Sequence, residues 1–380
     1  MKVCMLVTNS LKKDPRVRRE AETAHGAGLD VTVIGCYDTN YDEGFLESTP
    51  YKNWIYMLDG KYRGKLKSNF KKFLRMWLPL YHMYKKCLEL KPDIIHANDF
   101  DTLPAAYLAA KKLKCAVVYD SHEIYSRQPQ LEKNTLFRKT IEMIEGHIVK
   151  KVDAMLSVSN AAAEVFVSMY GIKKPTVVTN TSFKVDKNTL PPKNDGFQIV
   201  YQGIISPNRG YDEFVAAAES INPDVKLIVR GFGPSKEKLI KFAEDIGICD
   251  RIDFAPAVEI KDLIPEAAKS HIGAVLTVPV SDNFKYTVSN KIFEYIQARI
   301  PVILSDVPEH RYINDKYNVG IILDDVTPEN IAKAINELYE NKELYNTLCA
   351  NVEKAAEELC WENEGKILVG VYERVVKRVK

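Results

Sequence analysis

The segment FQIVYQGIISPNRGYDEFVAAA, residues 197–218, combines a buried strand, a short loop and the start of a helix. The apolar run FQIVYQG (197–203) predicts the strand, and the loop carries Arg209 close to the beginning of the helix. Five further apolar runs follow: VKLIVRG (225–231), RIDFA (251–255), IGAVLTV (272–278), PVILSD (301–306) and VGIIL (319–323). Strands that alternate with helices predict a parallel sheet covered on both faces.

The first half of the chain shows the same alternation. Its apolar runs are KVCMLVT (2–8), VTVIG (31–35), DIIHA (93–97), CAVVYD (115–120), AMLSVS (154–159) and TVVTN (176–180). Between about residues 181 and 196 the pattern lapses, and the paired prolines and polar residues there are typical of a linker. We therefore predict an α/β protein with two Rossmann-like domains, residues 1–185 and 195–360, followed by a last helix over residues 361–380.

The composition argues against several classes of protein. The 53 Lys and Arg residues nearly balance the 51 Asp and Glu residues, so the net charge gives no reason to expect a nucleic-acid partner. The seven cysteines lack the spacing of a metal site or a redox pair, which predicts a reducing compartment. The first residues read as a strand rather than a signal peptide, and no apolar run is long enough to cross a bilayer. Together these features predict a cytoplasmic location.

Ligands of open α/β sheets bind beyond the carboxyl ends of the strands, and three loops of the second half stand out there. The loop after Gly203 offers backbone N–H groups and Arg209, which could bind a diphosphate; an ordinary turn with a surface arginine is the alternative. The turn at Arg230 and Gly231 lets a ligand approach the backbone closely, although a tight strand-to-helix turn would look the same.

The third loop leads into the helix SNKIFEYIQA, residues 289–298. Ser289 or Asn290 can cap this helix. The positions predicted to face inward are Ile292, Phe293 and Ile296. Lys291 near the helix N-terminus suits a phosphate, and Glu294 one turn on can accept hydrogen bonds from both hydroxyls of a ribose. The alternative is a surface helix with an exposed Lys–Glu pair.

Several segments together resemble one large enzyme family. They are DPRVRREAETAHGAGLDVTVIG (14–35), KPDIIHANDFDTLPAAYLAAKKLKCAVVYDSHEIY (91–125), IVYQGIISPNRGYDEFVAAA (199–218) and SNKIFEYIQARIPVILSD (289–306). The family is that of the retaining nucleotide-sugar glycosyltransferases of GT-B fold, the group 1 or family 4 type that includes sucrose-phosphate synthases and lipid-glycan mannosyltransferases. The resemblance covers nearly the whole chain. It implies an acceptor domain and then a donor domain that face a cleft, with the last helix crossing back onto the first domain.

The resemblance also implies roles for individual residues. Glu294 corresponds to the glutamate that holds the donor ribose, Arg209 to a cation on the donor diphosphate and His122 to a histidine that faces the transferred sugar. The predicted catalytic residues are His122, Arg209 and Lys291, and the predicted donor-binding residues are Gly203, Arg209, Arg230, Gly231, Val258, Ser289, Asn290, Lys291 and Glu294. Because protein cations can stabilise the departing diphosphate, we predict that the enzyme needs no metal ion and no other cofactor.

Two positions depart from the family pattern. The family usually has a second glutamate eight positions before the one at Glu294, where this chain has Tyr286. An arginine that is common in the loop after Gly203 is replaced by Ile204 and Ile205. Lys291 is expected to supply part of the missing charge.

Two other motifs are given no place in the site. Asp99 and Asp101 match the DxD pattern with which other glycosyltransferases bind Mg²⁺ or Mn²⁺, but aspartates after a strand often serve as helix caps. His96 could face the cleft, and we predict instead that it is a half-buried strand residue.

The stretch of residues 60–88 holds nine Lys or Arg residues and no acidic residue. Its apolar residues recur at helical spacing, with a break possible at Pro79, which predicts a basic amphipathic helix. Such a helix could bind an anionic membrane surface, or it could pack its apolar stripe against the first sheet.

We therefore expect transfer of a hexose from a UDP-, GDP- or ADP-sugar to an acceptor hydroxyl on a glycan or lipid-linked glycan, with retention, in cell-surface polysaccharide or glycolipid synthesis. The first alternative is a non-hydrolysing nucleotide-sugar epimerase of the same fold. The second is a two-domain sugar-binding protein, which the absence of a signal peptide disfavours. A dinucleotide dehydrogenase is less consistent still, because no GxGxxG follows the first strand.

Overall fold

The computed structural model describes residues 1–12, 14–36, 42–58, 69–131 and 134–379. The chain divides into a first unit, residues 1–179 with the segment from Glu364 onward, and a second unit, Asn180–Asn363. The division falls before the predicted linker. The predicted linker is bonded to the second unit at Val185. The N–H of Val185 donates to Gln297 Oε1 at 3.0 Å, and its carbonyl accepts from Arg299 Nη2 at 2.9 Å. These bonds attach the expected linker to the second unit.

The first unit is built on a parallel sheet. Its strands are β1 (Lys2–Leu6), β2 (Asp30–Cys36), β3 (Lys52–Tyr56), β4 (Ile94–Asn98), β5 (Ala116–Ser121), β6 (Ala154–Ser157) and β7 (Thr176–Val177), in the order β3-β2-β1-β4-β5-β6-β7. Strand β3 was not among the predicted strands, although Trp54, Ile55 and Tyr56 form a short apolar run; its residues are only partly buried at the sheet edge. The order reverses between β1 and β4, which places a ligand-binding crevice at the carboxyl ends of those strands.

The helices of this unit cover the sheet. They are α1 (Pro15–Gly26), α2 (Glu43–Glu47), α3 (Asn69–Leu90), α4 (Asp99–Leu113), α5 (Thr135–Ile148) and α6 (Asn160–Tyr170). At the start of α1, Asp14 Oδ1 accepts a hydrogen bond from the N–H of Val17 at 3.2 Å, and Pro15 takes the first helical position. Pro79 lies inside α3 without ending it. No helix of the described residues is apolar and long enough to cross a bilayer.

The second unit repeats the plan. Its strands are β8 (Phe197–Ile204), β9 (Val225–Phe232), β10 (Ile252–Asp253), β11 (Ile272–Val275), β12 (Val302–Ser305) and β13 (Gly320–Leu323), all parallel, in the order β10-β9-β8-β11-β12-β13. The helices are α7 (Tyr211–Ala216), α8 (Lys236–Asp245), α9 (Leu263–Ala268), α10 (Asp282–Tyr286), α11 (Asn290–Gln297), α12 (Pro308–Tyr317), α13 (Pro328–Glu340) and α14 (Lys342–Glu358). The order reverses between β8 and β11, so the loop after β8 borders the crevice of this sheet.

The last helix, α15 (Trp361–Val379), joins the first unit from Glu364 onward. Its buried side chains are Trp361, Leu368, Val371, Tyr372 and Val375. The hydroxyl of Tyr372 lies 2.6 Å from Nδ1 of His96 in β4. The chain therefore ends on the sheet with which it began.

Candidate active site

The carboxyl end of β8 approaches its neighbours so closely that it has no room for side chains. Gly203 has φ 127°, and a Cβ atom added there would lie 2.6 Å from Cε of Lys291. Gly231 has φ 151°, and its added Cβ would lie 1.9 Å from the carbonyl oxygen of Gly203. Only glycine tolerates these contacts and this backbone conformation without strain. The two glycines thus bring the side chain of Lys291 directly onto the end of the strand.

Helix α11 begins where sequence analysis placed it. Ser289 is the N-cap residue in extended conformation, but its side chain makes no capping hydrogen bond among the described residues. The Oδ1 atom of Asn290 accepts a hydrogen bond from Asn180 Nδ2 at 3.1 Å. The predicted inward positions Ile292, Phe293 and Ile296 are confirmed, since each is at most 1% exposed. The helix N-terminus therefore keeps its backbone donors free of a side-chain cap.

Glu294 of α11 is hydrogen-bonded to a side chain of strand β8. It is half-buried, and its Oε2 accepts a hydrogen bond from Nε2 of the buried Gln202 at 2.9 Å. Lys291, one turn earlier, is half-buried as well and points toward Gly203. The alternative of a surface helix with an exposed Lys–Glu pair is therefore wrong.

The ammonium group of Lys291 loses its proton more readily than that of an exposed lysine. Burial, and then the positive charge of Arg209, lower the pKa of Lys291 from 10.5 to about 8, against the opposing effect of Glu294. Its Nζ lies 5.8 Å from the ring centroid of Tyr201. A negatively charged ligand beside this lysine would favour its charged form.

Arg209 provides a second cation at the same edge. Its guanidinium carbon lies 4.9 Å from the ring centroid of Phe284, and its carbonyl accepts a hydrogen bond from the hydroxyl of Tyr201. Its buried Nε has no hydrogen-bond partner among the described residues. Donor groups remain at Arg209 for an anion such as a diphosphate.

Two further predicted residues, Arg230 and Val258, are placed differently from Lys291 and Arg209. Arg230 is only 8% exposed, and its Nη2 contacts Glu266 Oε2 of α9 at 3.0 Å. It is therefore not an exposed cation at the strand end, although its Nη1 lacks a hydrogen-bond partner within the described residues. Val258 is half-buried in the irregular segment after β10.

In the first unit, His122 follows β5, and its ring lies between two carboxylates. Its Nδ1 lies 3.2 Å from Asp99 Oδ2 and its Nε2 lies 3.4 Å from Asp120 Oδ2. The backbone N–H of His122 also donates to Asp99 Oδ1 at 2.9 Å. Burial alone would lower the pKa of His122, but the charges of Asp99 and Asp120 outweigh it and raise this pKa well above its usual value. The ring is accordingly a cation in a fixed orientation.

A buried charge network lies behind His122. Arg16 Nη2 contacts both carboxylate oxygens of Asp120 at 2.9 and 2.8 Å, and Arg16 Nε lies 2.9 Å from Glu20 Oε1. Burial would raise the pKa of Asp120, but the charge of Arg16 holds it well below the usual range. Burial and the nearby Asp120 raise the pKa of Glu20 well above its usual value. His96 is also fully buried here, which corrects the prediction of a half-buried residue.

Two carboxylates and a histidine of this region lie close enough together to hold a metal ion. One ligand atom each from Glu20, Asp120 and His122 lies within 4.8 Å of the others. The guanidinium of Arg16, however, already contacts both Glu20 and Asp120. In the DxD-like pair, Asp99 contacts His122, while burial and then the charge of Asp99 raise the pKa of Asp101 to about 7. The contacts present are those of an internal ion-pair network.

Several of these residues escaped sequence analysis. Gln202 carried a signal, because a polar side chain inside a buried strand needs a hydrogen-bond partner. Arg16 and Glu20 are spaced four residues apart on α1, which is typical of an exposed ion pair rather than a buried one. Their burial depends on β5 and on Asp120, which lie 100 residues away in sequence and cannot be inferred from local spacing.

Comparison with known proteins matches the whole architecture. The model of Glycosyltransferase Family 4 matches residues 16–181, and the model of Glycosyl transferases group 1 matches residues 182–356. A protein of the Klebsiella pneumoniae cps region, described as an uncharacterized 42.6 kDa protein, is 27% identical over 271 residues, covering 63% of this chain and 71% of that protein.

Solved structures share the fold over the full length. Sucrose-phosphate synthase from Thermosynechococcus elongatus superimposes with a TM-score of 0.79 at 16% identity, covering 100% of both chains. Anabaena HepE in complex with UDP and glucose superimposes with a TM-score of 0.74 at 15% identity, covering 100% of this chain and 99% of that one. The family and the fold that the sequence resemblance implied are thereby confirmed. The chain belongs to the group 1 glycosyltransferases of GT-B fold, enzymes that transfer a sugar from a nucleotide sugar.

Proposed function

We propose that this enzyme transfers a hexose from a UDP-, GDP- or ADP-sugar to an acceptor hydroxyl, with retention of the anomeric configuration. The observation that carries the proposal is the grouping of Glu294, Lys291 and Arg209 around the end of β8. A carboxylate and two cations at a sheet edge match the ribose and the diphosphate of one donor molecule.

Each of these residues has a defined part in the proposal. Glu294 accepts hydrogen bonds from the ribose hydroxyls, while Lys291 and Arg209 bind the diphosphate together with the N-terminal end of α11, which has no side-chain cap among the described residues. The lowered pKa of Lys291 supports this assignment, because a diphosphate would restore the charge that burial disfavours. The UDP and glucose bound to Anabaena HepE are consistent with a donor of this class.

The same cations would stabilise the transition state. As the bond between the sugar and the diphosphate breaks, negative charge grows on the leaving oxygen, and Lys291 and Arg209 offset it without a metal ion. The acceptor hydroxyl attacks from the face that the diphosphate leaves, and the leaving phosphate takes its proton. His122, held as a cation by Asp99 and Asp120, contacts the transferred sugar in this proposal.

The acceptor is proposed to be a glycan or a lipid-linked glycan of the cell surface. The relative from the Klebsiella pneumoniae cps region supports this assignment. The basic stretch of residues 60–88 would bring the enzyme to an anionic membrane on its cytoplasmic side. Residues 60–68 lie outside the described part of the chain. Further along α3, Trp77 and Tyr81 are 42% and 55% exposed, as aromatic residues at a membrane interface would be.

Two experiments test these proposals. Thermal unfolding with UDP, GDP, ADP and CMP should show stabilisation by one nucleoside diphosphate, and NMR of the product formed from its sugar should show the donor's anomeric configuration. Epimerised donor without transfer would indicate the epimerase instead.

For the membrane, replacing Lys67, Lys71, Lys72 and Arg75 with Gln should release the protein from phosphatidylserine vesicles, since each cation contributes about 1 kcal/mol. Wild-type protein that does not sediment with these vesicles at low salt would contradict membrane binding.

A further inference from the structure

Gln202 is a fully buried polar residue of strand β8. It is 0% exposed in β8, between Tyr201 and Gly203, and its register partner in β9 is Arg230. Its backbone N–H donates to the hydroxyl of Tyr295 at 3.0 Å. A buried primary amide is unfavourable unless its donors and acceptor find partners. Its presence two residues before the end of the strand therefore calls for a physical reason.

The side-chain amide nitrogen of Gln202 faces Glu294, a residue of the predicted nucleotide-sugar site. Nε2 donates to Glu294 Oε2 at 2.9 Å and, less closely, to the carbonyl oxygen of Leu263 at 3.4 Å. The buried Oε1 has no hydrogen-bond partner among the described residues. The amide is thus committed to Glu294 even though its own acceptor stays unsatisfied, an arrangement that stability alone disfavours.

We propose that Gln202 is the positioning residue that fixes the Glu294 carboxylate for the ribose hydroxyls of the donor. The terminal torsion of a glutamate is broad, so a free carboxylate samples many orientations. A hydrogen bond from the rigid strand to Oε2 holds the carboxylate plane and leaves Oε1 to accept from the sugar. The proposal rests on the proposed function, in which Glu294 binds ribose.

A merely structural role for Gln202 makes a different prediction. If the amide only fills space between β8 and α11, its loss would change stability and would weaken all nucleotides equally. If it orients Glu294, its loss would weaken only those ligands that carry ribose hydroxyls. Discrimination between a ribonucleotide and its dideoxy counterpart therefore separates the two roles.

The experiment compares binding of UDP with that of 2′,3′-dideoxy-UDP by calorimetry, or of the GDP or ADP pair if that nucleotide stabilises the protein. Wild-type protein should prefer the ribonucleotide by at least about tenfold, as expected for charge-assisted hydrogen bonds. Gln202→Met should reduce this preference by about fivefold or more, with little effect on the dideoxy form. Gln202→Asn, whose amide is one methylene too short to reach Glu294, should do the same and covers the case in which Gln202→Met fails to fold.

The matched control is Gln198→Met. Gln198 lies in the same strand, about 13 Å from Gln202 along β8, and its Oε1 accepts from Asn194 Nδ2 at 3.0 Å. It should retain the wild-type preference.

The outcomes separate the two levels of inference. If both Gln202 variants keep the wild-type preference while Glu294→Ala loses it, the positioning role is overturned and the proposed donor site stands. If wild type shows no preference and Glu294→Ala binds the nucleotide as wild type does, the proposed donor site itself is wrong.

Discussion

The carboxyl edges of the two sheets both collect charged side chains, but they balance these charges differently. In the first unit, Arg16 lies between Asp120 and Glu20, and His122 lies between Asp120 and Asp99. In the second unit, burial and then the charge of Arg209 lower the pKa of Lys291, and the nearby carboxylate of Glu294 offsets this only in part.

The two arrangements of charge suit different tasks: one fixes the orientation of side chains, and the other leaves cations available to a ligand. In the first unit each of the cations Arg16 and His122 faces two carboxylates of the same unit, so the network holds its shape without a ligand. In the second unit the pKa of Lys291 is lowered and Arg209 Nε has no partner among the described residues, so an anion would complete the arrangement. We therefore propose that the first edge orients His122 and that the second edge binds a negatively charged ligand.

The largest effect should come from breaking the network of the first unit. Arg16→Met removes the guanidinium that contacts both Asp120 and Glu20 and leaves Asp120 only the positive charge of His122, which should lower the stability of this unit by about 3–5 kcal/mol. Urea unfolding, with hydrogen exchange in β5 as the local readout, measures the change. Lys112→Met on the exposed face of α4 is the control and should shift stability by less than about 0.5 kcal/mol. A similarly small change in Arg16→Met would mean that the network is not held by charge.

The next largest effect concerns the ligand side of the comparison. Glu294→Ala should weaken binding of the cognate nucleoside diphosphate by at least about tenfold, because each charge-assisted hydrogen bond contributes about 1.5–3 kcal/mol. Glu294→Gln should weaken it less, since an amide oxygen can still accept one bond. Calorimetric titration of folded variants is the measurement, with the exposed Glu337→Ala in α13 as the control. Equal affinities of wild type and Glu294→Ala would place the donor elsewhere.

A smaller effect should appear in the pH dependence of binding. Because the pKa of Lys291 is about 8 in the free protein and a bound diphosphate would raise it, binding takes up a proton above about pH 8. Affinity should therefore fall as the pH rises from about 8, by up to tenfold per unit. The second ionisation of a phosphate lies near pH 6 and does not interfere. Lys291→Met should bind more weakly at pH 7 and lose this slope; an unchanged slope would assign the proton to another group.

The smallest expected effect is that of chelation. If Arg209 and Lys291 supply the charge, glycosyl transfer should be unchanged within error in excess EDTA. Product formation is followed with and without the chelator, and Mn²⁺ is then added back. Loss of turnover that Mn²⁺ restores would contradict the proposal and direct attention to Glu20, Asp120 and His122, whose ligand atoms lie within 4.8 Å of one another.

Much of the fold and part of the candidate site could be predicted from the sequence. Buried parallel strands appear in the sequence as local apolar runs, so most strands and both sheets were predictable. The partly buried edge strand β3 was not predicted, although Trp54, Ile55 and Tyr56 form a short apolar run. Helix α11 was predictable from its apolar spacing. Arg230 was predicted as a donor ligand because it lies near the carboxyl end of a strand, yet its partner Glu266 lies 36 residues further along the chain.

The sequence by itself determined the two-sheet architecture and the family, because apolar periodicity and motif wording are local properties of the chain. Only the tertiary structure decided which residues of the two sheet edges come into contact. It brings Arg16 to Asp120, Gln202 to Glu294 and Lys291 to Gly203 across separations of 88 to 104 residues. The physical reason is that the protonation and orientation of a charged group depend on burial and on neighbours within a few ångströms, which are set by the packing of distant segments.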